Sequence, residues 1–399
     1  MAEGDDVYAL LRCNELDQDE LERVLSFFYG HGHHAPPNEI VHGREQRSRA
    51  LRTIYDSDGK LIKVLLGPDA LPDDIDQLRK RIETDLLSPG TRLVRRQILF
   101  ASVPTVGQFR YRDVLQILPL PPEAPRPGEL IGDHPLLLEY TVSASPDMMV
   151  TIYRQQRVAR ELGLVLSSLL DFRVRSLGNY EKHWCLDVSD GQIRLPSKFL
   201  QEGYAWDGPQ PSDDDFADAS PFTPITLVEI DQYFARRGIS LDSKLELPAD
   251  LPQQLDRFFG LTMADREKFL RASYWFQHAG KVFPLSKSAS FIALVSAVEV
   301  LMPELSAGEA CPQCKQMIGT GPTRRFVEFV EATIPNSGLS NQERRRFYRV
   351  RSALAHGGKL LAVDHNNWGF TPKQIGEDYD ARTMWKLVQI VLHNWLAQR

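Results

Sequence analysis

The stretch YRVRSALAHGG, residues 348–358, sets an arginine and a histidine five positions apart at the end of an amphipathic segment. The apolar face of that segment consists of Phe347, Val350 and Leu354. A glycine pair directly after the histidine is a typical helix stop. The stretch therefore predicts a helix whose last turn carries Arg351 and His356.

The residues around this stretch, 251–399, have the periodicity of an all-helical domain. Ser340 and Glu343 form a capping box that opens the motif helix. Apolar side chains recur at helical spacing in four further segments, residues 264–280, 287–302, 323–334 and 381–396. Thr323 is expected to cap the third of these segments. Five helices in about 150 residues favour a helical bundle.

The preceding part of the chain, residues 1–202, has mixed α and β signals. A helical pattern occurs at residues 17–28. Runs rich in β-formers and broken by Pro and Gly occur at residues 61–66, 92–102, 111–118 and 136–142. Residues 203–250 are acidic and Pro-rich, as in a linker and connector. The predicted fold class is α+β, with an N-terminal mixed α/β region that senses or recognises a ligand, followed by the C-terminal all-α bundle.

Charge is unevenly distributed along the 399 residues. Residues 251–399 hold 19 Lys and Arg against 13 Asp and Glu, whereas the first 250 residues hold 28 against 40. A basic C-terminal domain suits a polyanionic partner such as RNA. The acidic N-terminal region argues against broad wrapping of nucleic acid by the whole protein.

Several classes of protein are disfavoured by the composition. No apolar run reaches the roughly 18–20 residues that a membrane span needs, and the acidic N-terminus predicts no secretory signal. Four cysteines do not make a disulfide framework, which favours a reducing, cytoplasmic setting. The sequence contains no glycine-rich phosphate loop, so we expect no nucleotide-triphosphate site.

Arg351 and His356 are the residue types that cleave RNA without a metal. A histidine moves protons near neutral pH, and it would take the proton from a ribose 2′-OH. An arginine presents a permanently charged fork that fits a phosphate, and it would hold the charge that builds there during cleavage. The pair therefore predicts metal-independent chemistry that needs no cofactor.

An Arg, four to six residues, and then a His on the last turn of a C-terminal helical unit resembles the HEPN superfamily, especially its Apea-like branch. Residues 291–303 are similar to the long central helix of that family, with Glu299 as its buried acid. The resemblance covers about residues 251–399. It implies an endoribonuclease that leaves a 2′,3′-cyclic phosphate, with the active centre built across a homodimer. Stress response or antiviral (anti-phage) defence, including toxin activity, is the setting that the family suggests.

Ser352 departs from the family pattern, since catalytic members usually carry Asn, Asp or His directly after the arginine. The departure keeps two alternatives open. One is a non-catalytic HEPN-like dimer module that binds RNA or another ligand. The other is a purely structural dimerisation module that serves the N-terminal region.

Four further residues in and near the motif are candidates for supporting roles, and Ser352 is the first of them. Glu299 interrupts an apolar stripe, where a carboxylate is costly unless it is paired, so we expect it to orient Arg351 or a neighbouring arginine. The alternative is that Glu299 faces solvent. Tyr348 and Arg349 lie within one turn of the motif and would contact a phosphate or a base, or else belong to a solvated basic face.

The pair Cys311 and Cys314 has the spacing of half a zinc site. His365, His278 or the same pair of a second subunit would complete a structural zinc site. Without such partners the two thiols remain unmetallated.

Overall fold

A computed structural model of the chain describes residues 3–399 except for 31, 36, 45–46, 121–125, 128–133, 171–173, 176–184, 187–213, 236–242, 304–308, 311–316, 319–320, 336–337 and 366–370. The α+β prediction is confirmed at the level of fold class, because antiparallel sheets occupy the N-terminal half and helices the C-terminal half. No helix in the described ranges is both long and apolar enough to cross a bilayer.

The helices are α1 (Gln18–Tyr29), α2 (Pro72–Ile82), α3 (Met148–Leu169), α4 (Ile230–Ala235), α5 (Leu251–Gly260), α6 (Met263–Val282), α7 (Lys287–Leu301), α8 (Pro322–Thr333), α9 (Asn341–Ala355), α10 (Ala362–His365) and α11 (Pro372–Ala397). A short 3₁₀ turn spans Cys13–Glu15, and a π-helical turn, Glu83–Leu87, extends α2.

The strands are β1 (His33–Ala35), β2 (Glu39–Arg44), β3 (Arg47–Tyr55), β4 (Leu61–Leu66), β5 (Arg92–Ala101), β6 (Phe109–Tyr111), β7 (Leu115–Pro119), β8 (Arg126–Pro127), β9 (His134–Ser143), β10 (Val174–Arg175), β11 (Cys185–Leu186), β12 (Leu227–Val228), β13 (Leu247–Pro248), β14 (Glu309–Ala310) and β15 (Met317–Ile318).

The chain divides into two compact units. The first comprises Met1–Arg95, Tyr140–Ala159 and Pro211–Phe216, and the second comprises Arg96–Glu139, Arg160–Gln210 and Ala217–Arg399. The expected boundaries at residues 202 and 250 stay predictions, because residues 187–213 and 236–242 lie outside the described ranges.

The first unit contains a four-stranded antiparallel meander in the order β1-β2-β3-β4. Its core forms where the helices α1 and α2 bury apolar side chains that include Leu25 and Leu78, together with Leu51 and Val64 of the sheet. Asp17 caps α1 by accepting from the backbone of the first turn, so the helix predicted at residues 17–28 is present and begins one residue later, at Gln18. The helix α2 was missed, because charged residues dominate its sequence.

A second sheet has the strand order β10-β5-β9-β7-β6. The run predicted as one strand at residues 111–118 is interrupted: β6 ends at Tyr111 and β7 begins at Leu115. The reason is a tight turn in which Arg112 adopts a left-handed backbone conformation with φ of 49°. The sheet also buries the carboxylate of Glu139, which accepts hydrogen bonds from Arg96 and Gln116.

The second unit holds the helices α5–α9 and α11, and α7 lies at their centre. The helix α7 packs against α6, α9 and α11. Its completely or nearly completely buried apolar side chains are Phe291, Ala293, Leu294, Val295, Ala297, Val298 and Leu301. A helix that is apolar on most of its surface is expected at the centre of a bundle.

Four details of the helical prediction are wrong. The C-terminal region is not purely α, since β14 and β15 pair as a short antiparallel hairpin. The helices α5 and α10 were missed. The N-cap of α8 is Gly321 followed by Pro322 at the first helical position, so Thr323 is not the cap. The last helix begins at Pro372 rather than at residue 381, because Thr371 and Gln374 form a capping box there.

Candidate functional site

The motif helix α9 has well-defined ends. The predicted capping box is present, with the Ser340 side chain accepting from the Glu343 backbone and the Glu343 carboxylate accepting in return. At the other end Gly357 has φ of 68°, and the amides of Gly357 and Gly358 donate to the carbonyls of Leu354 and Ala353 at 3.1 and 2.9 Å. These two bonds form a Schellman motif, so the predicted glycine stop is confirmed.

The side chain of Arg351 points from α9 to α7. Its Nη2 donates to Oε2 of Glu299 at 2.7 Å, and the two side chains are 25% and 22% exposed. The hydroxyl of Tyr348 donates to the other oxygen of the same carboxylate at 2.9 Å. The structure thus shows the contact expected between Glu299 and Arg351, and we call these three residues the Glu299 cluster.

The ring of Tyr348 connects the Glu299 cluster to α8. It packs against Phe326 of α8 with ring centroids 5.3 Å apart, and the Arg351 guanidinium lies 5.8 Å from its centroid. Burial and the neighbouring Glu299 carboxylate raise the pKa of Tyr348, so the hydroxyl stays protonated and remains a donor. The Nε of Arg351 is buried without a hydrogen-bond partner in the described part of the chain. Together with the contact between Tyr348 and Phe326, the cluster connects α7, α8 and α9.

His356 lies in different surroundings. It is the C-cap residue of α9, with φ of −88° and ψ of 9°, and its backbone N–H donates to the carbonyl of Ser352 at 3.1 Å. Its imidazole is exposed and has no hydrogen-bond partner among the described residues. Five positions at about 100° each place it some 140° around the helix from Arg351. No hydrogen bond joins the two side chains, and within one chain they face different surroundings.

Other side chains do share the helix face of His356. At about 100° per residue, four side chains fall within roughly 60° of one another. These side chains are Arg345, Arg349, Ser352 and His356, and we call them the outer stripe of α9. All except the half-buried Ser352 are exposed. Sequence reasoning overlooked Arg345, although its helical spacing to His356 was visible.

The arginines of the outer stripe have no acidic partner in the described part of the chain. The Nε of Arg349 donates only to the carbonyl of Arg345, at 3.4 Å along the same helix. The other arginines of α9 are each paired with a carboxylate: Arg344 with Glu331, Arg346 with Asp380 and Arg351 with Glu299. The positive charge of the stripe is therefore available to an external anion.

The segment after His356 is held by Asp364 of α10. Its carboxylate accepts from the Ser286 hydroxyl at 2.8 Å and from the backbone amides of Lys287 and Ser288 at 2.8 and 2.9 Å. Burial alone would raise the pKa of Asp364, but these hydrogen bonds outweigh it and the pKa lies below its ordinary value. The start of α7 thus fixes the chain eight residues beyond His356.

A second polar cluster, not foreseen from the sequence, lies between α5 and α11. The Nε2 of His393 is 2.9 Å from Oδ2 of Asp250, and the Gln254 amide donates to the same oxygen at 2.8 Å. His393 and Gln254 are almost completely buried. Burial tends to raise the pKa of Asp250, and its two hydrogen bonds lower it further than burial raises it. We interpret this cluster as a structural contact that holds the start of α5 against α11.

The candidate zinc ligands Cys311 and Cys314 lie outside the described residues. The hairpin strands β14 and β15 are described on either side of them, with Glu309 opposite Ile318. Within the described ranges, no group of three or more His, Cys, Asp or Glu side chains is placed to hold a metal ion. Zinc at the cysteine pair stays a prediction.

Comparison with known proteins gives no relative for this chain. No family model, no curated protein and no solved structure matches it. The functional assignment therefore depends on the residues of α9 and on their surroundings.

Proposed function

We propose that the helical domain at residues 251–399 is a HEPN-like, metal-independent endoribonuclease that works as a homodimer. The observation that carries the proposal is the position of His356, which is exposed at an ordered helix end and has no competing hydrogen bond within the described residues. A histidine in that state is free to exchange a proton with a substrate. The basic outer stripe on the same helix face supports RNA as the substrate class.

The chemistry follows from the residue types. His356 takes the proton of a ribose 2′-OH, and the 2′-oxygen attacks the adjacent phosphorus. The bond from phosphorus to the 5′-oxygen breaks, and the leaving oxygen receives a proton from the imidazolium of the second subunit or from water. The products are a 2′,3′-cyclic phosphate and a 5′-hydroxyl. An arginine holds the charge on the phosphate during the attack.

Arg351 is the arginine that the motif assigns to this phosphate. In this proposal it acts on substrate held against the second subunit, since His356 of its own chain lies on a different helix face. Glu299 fixes the direction of the guanidinium, and Tyr348 donates to the other oxygen of the same carboxylate.

A second candidate function is RNA binding without cleavage. The ion pair between Arg351 and Glu299 favours it, because a carboxylate at 2.7 Å already neutralises the guanidinium that would stabilise the transition state. Ser352 in place of a stronger polar group favours it as well. In this version the outer stripe holds RNA and the protein shows no turnover.

Incubation of the full chain with unstructured RNA in excess EDTA separates the two candidates. We expect wild type to leave 2′,3′-cyclic phosphate ends, and His356→Ala and Arg351→Ala each to reduce the rate by about 100-fold or more while remaining folded. His33→Ala, which changes an exposed histidine of the first unit, is the matched control and should cleave like wild type.

Each other result has a definite meaning. Binding by wild type without any cleavage establishes the second candidate. Full cleavage by both His356→Ala and Arg351→Ala overturns the catalytic assignment. Neither binding nor cleavage at low salt overturns both candidates and leaves a dimerisation module.

A further inference from the structure

We infer that the phosphodiester backbone of single-stranded RNA binds lengthwise along the outer stripe of α9, with Arg349 and Arg345 holding phosphates that lie successively further from the one that His356 acts on. The inference rests on the proposed function and names the surface that holds its substrate. It assigns RNA binding to Arg345 and Arg349, which lie outside the Arg-His motif.

Arg345 and Arg349 differ from the neighbouring arginines in having no carboxylate partner within the described residues. Arg344, Arg346 and Arg351 on α9, and Arg324 on α8, each contact a carboxylate. An arginine run on a helix surface is usually a solvated face with nearby acids. Here the carboxylates of this region pair with those four arginines. Within the described residues no carboxylate lies beside Arg345 or Arg349.

The geometry of the stripe suits an extended strand. At a rise of about 1.5 Å per residue, Arg345 lies about 6 Å along the helix axis from Arg349, and Arg349 lies about 10 Å from His356. The full stripe is about 17 Å long, which corresponds to roughly five phosphates of a stacked single strand at about 3.4 Å each. Two arginines, a hydroxyl and an imidazole therefore lie along several consecutive nucleotides.

The composition of the stripe indicates contact with the backbone rather than with bases. Tyr348, the aromatic residue of α9 nearest to the stripe, is buried against Phe326 and hydrogen-bonded to Glu299, so it offers no face for base stacking. Contacts to phosphate and sugar position a strand without reading its sequence. Binding along the stripe should therefore depend strongly on salt and weakly on sequence.

The test is the salt dependence of binding to a fluorescein-labelled 2′-O-methyl RNA single strand, which cannot be cleaved because its 2′-oxygens are blocked. Each single-strand phosphate contact contributes about 0.7 to the slope of log K against log salt. The variant Arg345→Gln/Arg349→Gln loses two such contacts, so the magnitude of the slope should fall by about 1.4. Binding at low salt should weaken at least tenfold. All proteins are full-length, and their thermal unfolding is compared first.

Two control variants distinguish the effect of the position of the two arginines from the effect of the net charge of the protein. The variant Arg324→Gln/Arg346→Gln removes the same charge from arginines that are already paired, and it should keep the wild-type slope. The variant Arg345→Lys/Arg349→Lys keeps the charge of the stripe and should restore most of the slope.

The outcomes distinguish this inference from the proposed function. If wild type binds and cleaves RNA but the stripe variant keeps the full slope, the inference is overturned and the proposed function stands. If wild type does not bind RNA at low salt, the proposed function itself fails. If poly-glutamate displaces the strand as well as RNA does at equal charge, the stripe is a general anion surface and the inference is overturned.

Discussion

The two arginine-bearing faces of α9 differ in what their arginines contact. On the inner face Arg344, Tyr348 and Arg351 are joined to acids of neighbouring helices. On the outer face Arg345 and Arg349 are exposed and have no acidic partner within the described ranges. Arginines a few positions apart on one helix therefore differ in pairing: Arg344 and Arg351 each contact a carboxylate, whereas Arg345 and Arg349 contact none within the described residues.

Helical periodicity explains this division. The positions 344, 348 and 351 follow one another at three- and four-residue intervals, and so do 345, 349, 352 and 356. The Arg-His motif takes one residue from each face. A sequence motif can therefore join two side chains that the folded helix separates.

The largest change in stability is expected for Glu299→Ala, which tests the structural role of the inner face of α9. It leaves the half-buried Arg351 charge and the Tyr348 hydroxyl without their common acceptor, so we expect the free energy of unfolding to fall by about 3 kcal/mol in urea titrations. The control Glu328→Ala removes the acid of the exposed pair with Arg324 and should cost about 0.5 kcal/mol or less. Equal losses in the two variants would contradict the structural role of the inner face.

The next effect concerns the anchor beyond His356. Asp364→Ala removes three hydrogen bonds at the start of α7 and should lower the free energy of unfolding by about 2 kcal/mol at pH 7. The folded state lowers the pKa of Asp364, so its contribution is present above the ordinary carboxyl pKa of about 3.9 and is lost as pH falls through the folded pKa. Urea titrations from pH 7 to pH 3 should show the difference between wild type and variant shrinking only at the acid end. A difference that is constant over this range would show that the carboxylate charge is not involved.

A smaller effect is expected at the end of α9. Gly357→Ala forces a Cβ into a left-handed conformation at φ of 68° and should destabilise the protein by about 1 kcal/mol. Gly358→Ala is the matched control, because Gly358 is not left-handed and its added Cβ meets the Ala353 carbonyl at an ordinary 3.4 Å. Thermal unfolding of both variants measures the difference. Equal stabilities would show that the Schellman turn does not fix the position of His356.

The smallest effect is expected on the outer face. Arg345→Gln should change the free energy of unfolding by less than about 0.5 kcal/mol, since the exposed guanidinium has no partner among the described residues. The same urea titration serves as the measurement. A loss above about 1 kcal/mol would show that Arg345 is structural and would remove the contrast between the two faces.

The features of the fold that depend on local sequence were predictable. The capping box at Ser340, the glycine stop and the buried stripe of α7 each depend on residues within a few positions of one another. The contact of Glu299 with Arg351 was foreseen across 52 residues because an acid in an apolar stripe needs a partner.

Other features depend on contacts that the sequence does not display. Asp364 accepts from the Ser286 hydroxyl and from the backbone amides of Lys287 and Ser288, which lie 76 to 78 positions earlier in the chain, and no local pattern marks it as their partner. The contact between the half-buried Asp250 and the buried His393 spans 143 positions. The catalytic role assigned to Arg351 and His356 stays a prediction, because the two side chains lie on different faces of α9 and no hydrogen bond within the described residues joins them.

Arginine-selective ¹⁵N NMR during titration with 2′-O-methyl RNA tests the central claim most directly, since each guanidinium reports on its own surroundings. Single glutamine variants assign the Nε–Hε signals of Arg345, Arg349 and Arg351. The account predicts that the signals of Arg345 and Arg349 shift on addition of RNA, and that the signal of Arg351 also shifts because the proposed function places its guanidinium on the phosphate. Unchanged signals for Arg345 and Arg349 at saturating RNA would contradict it.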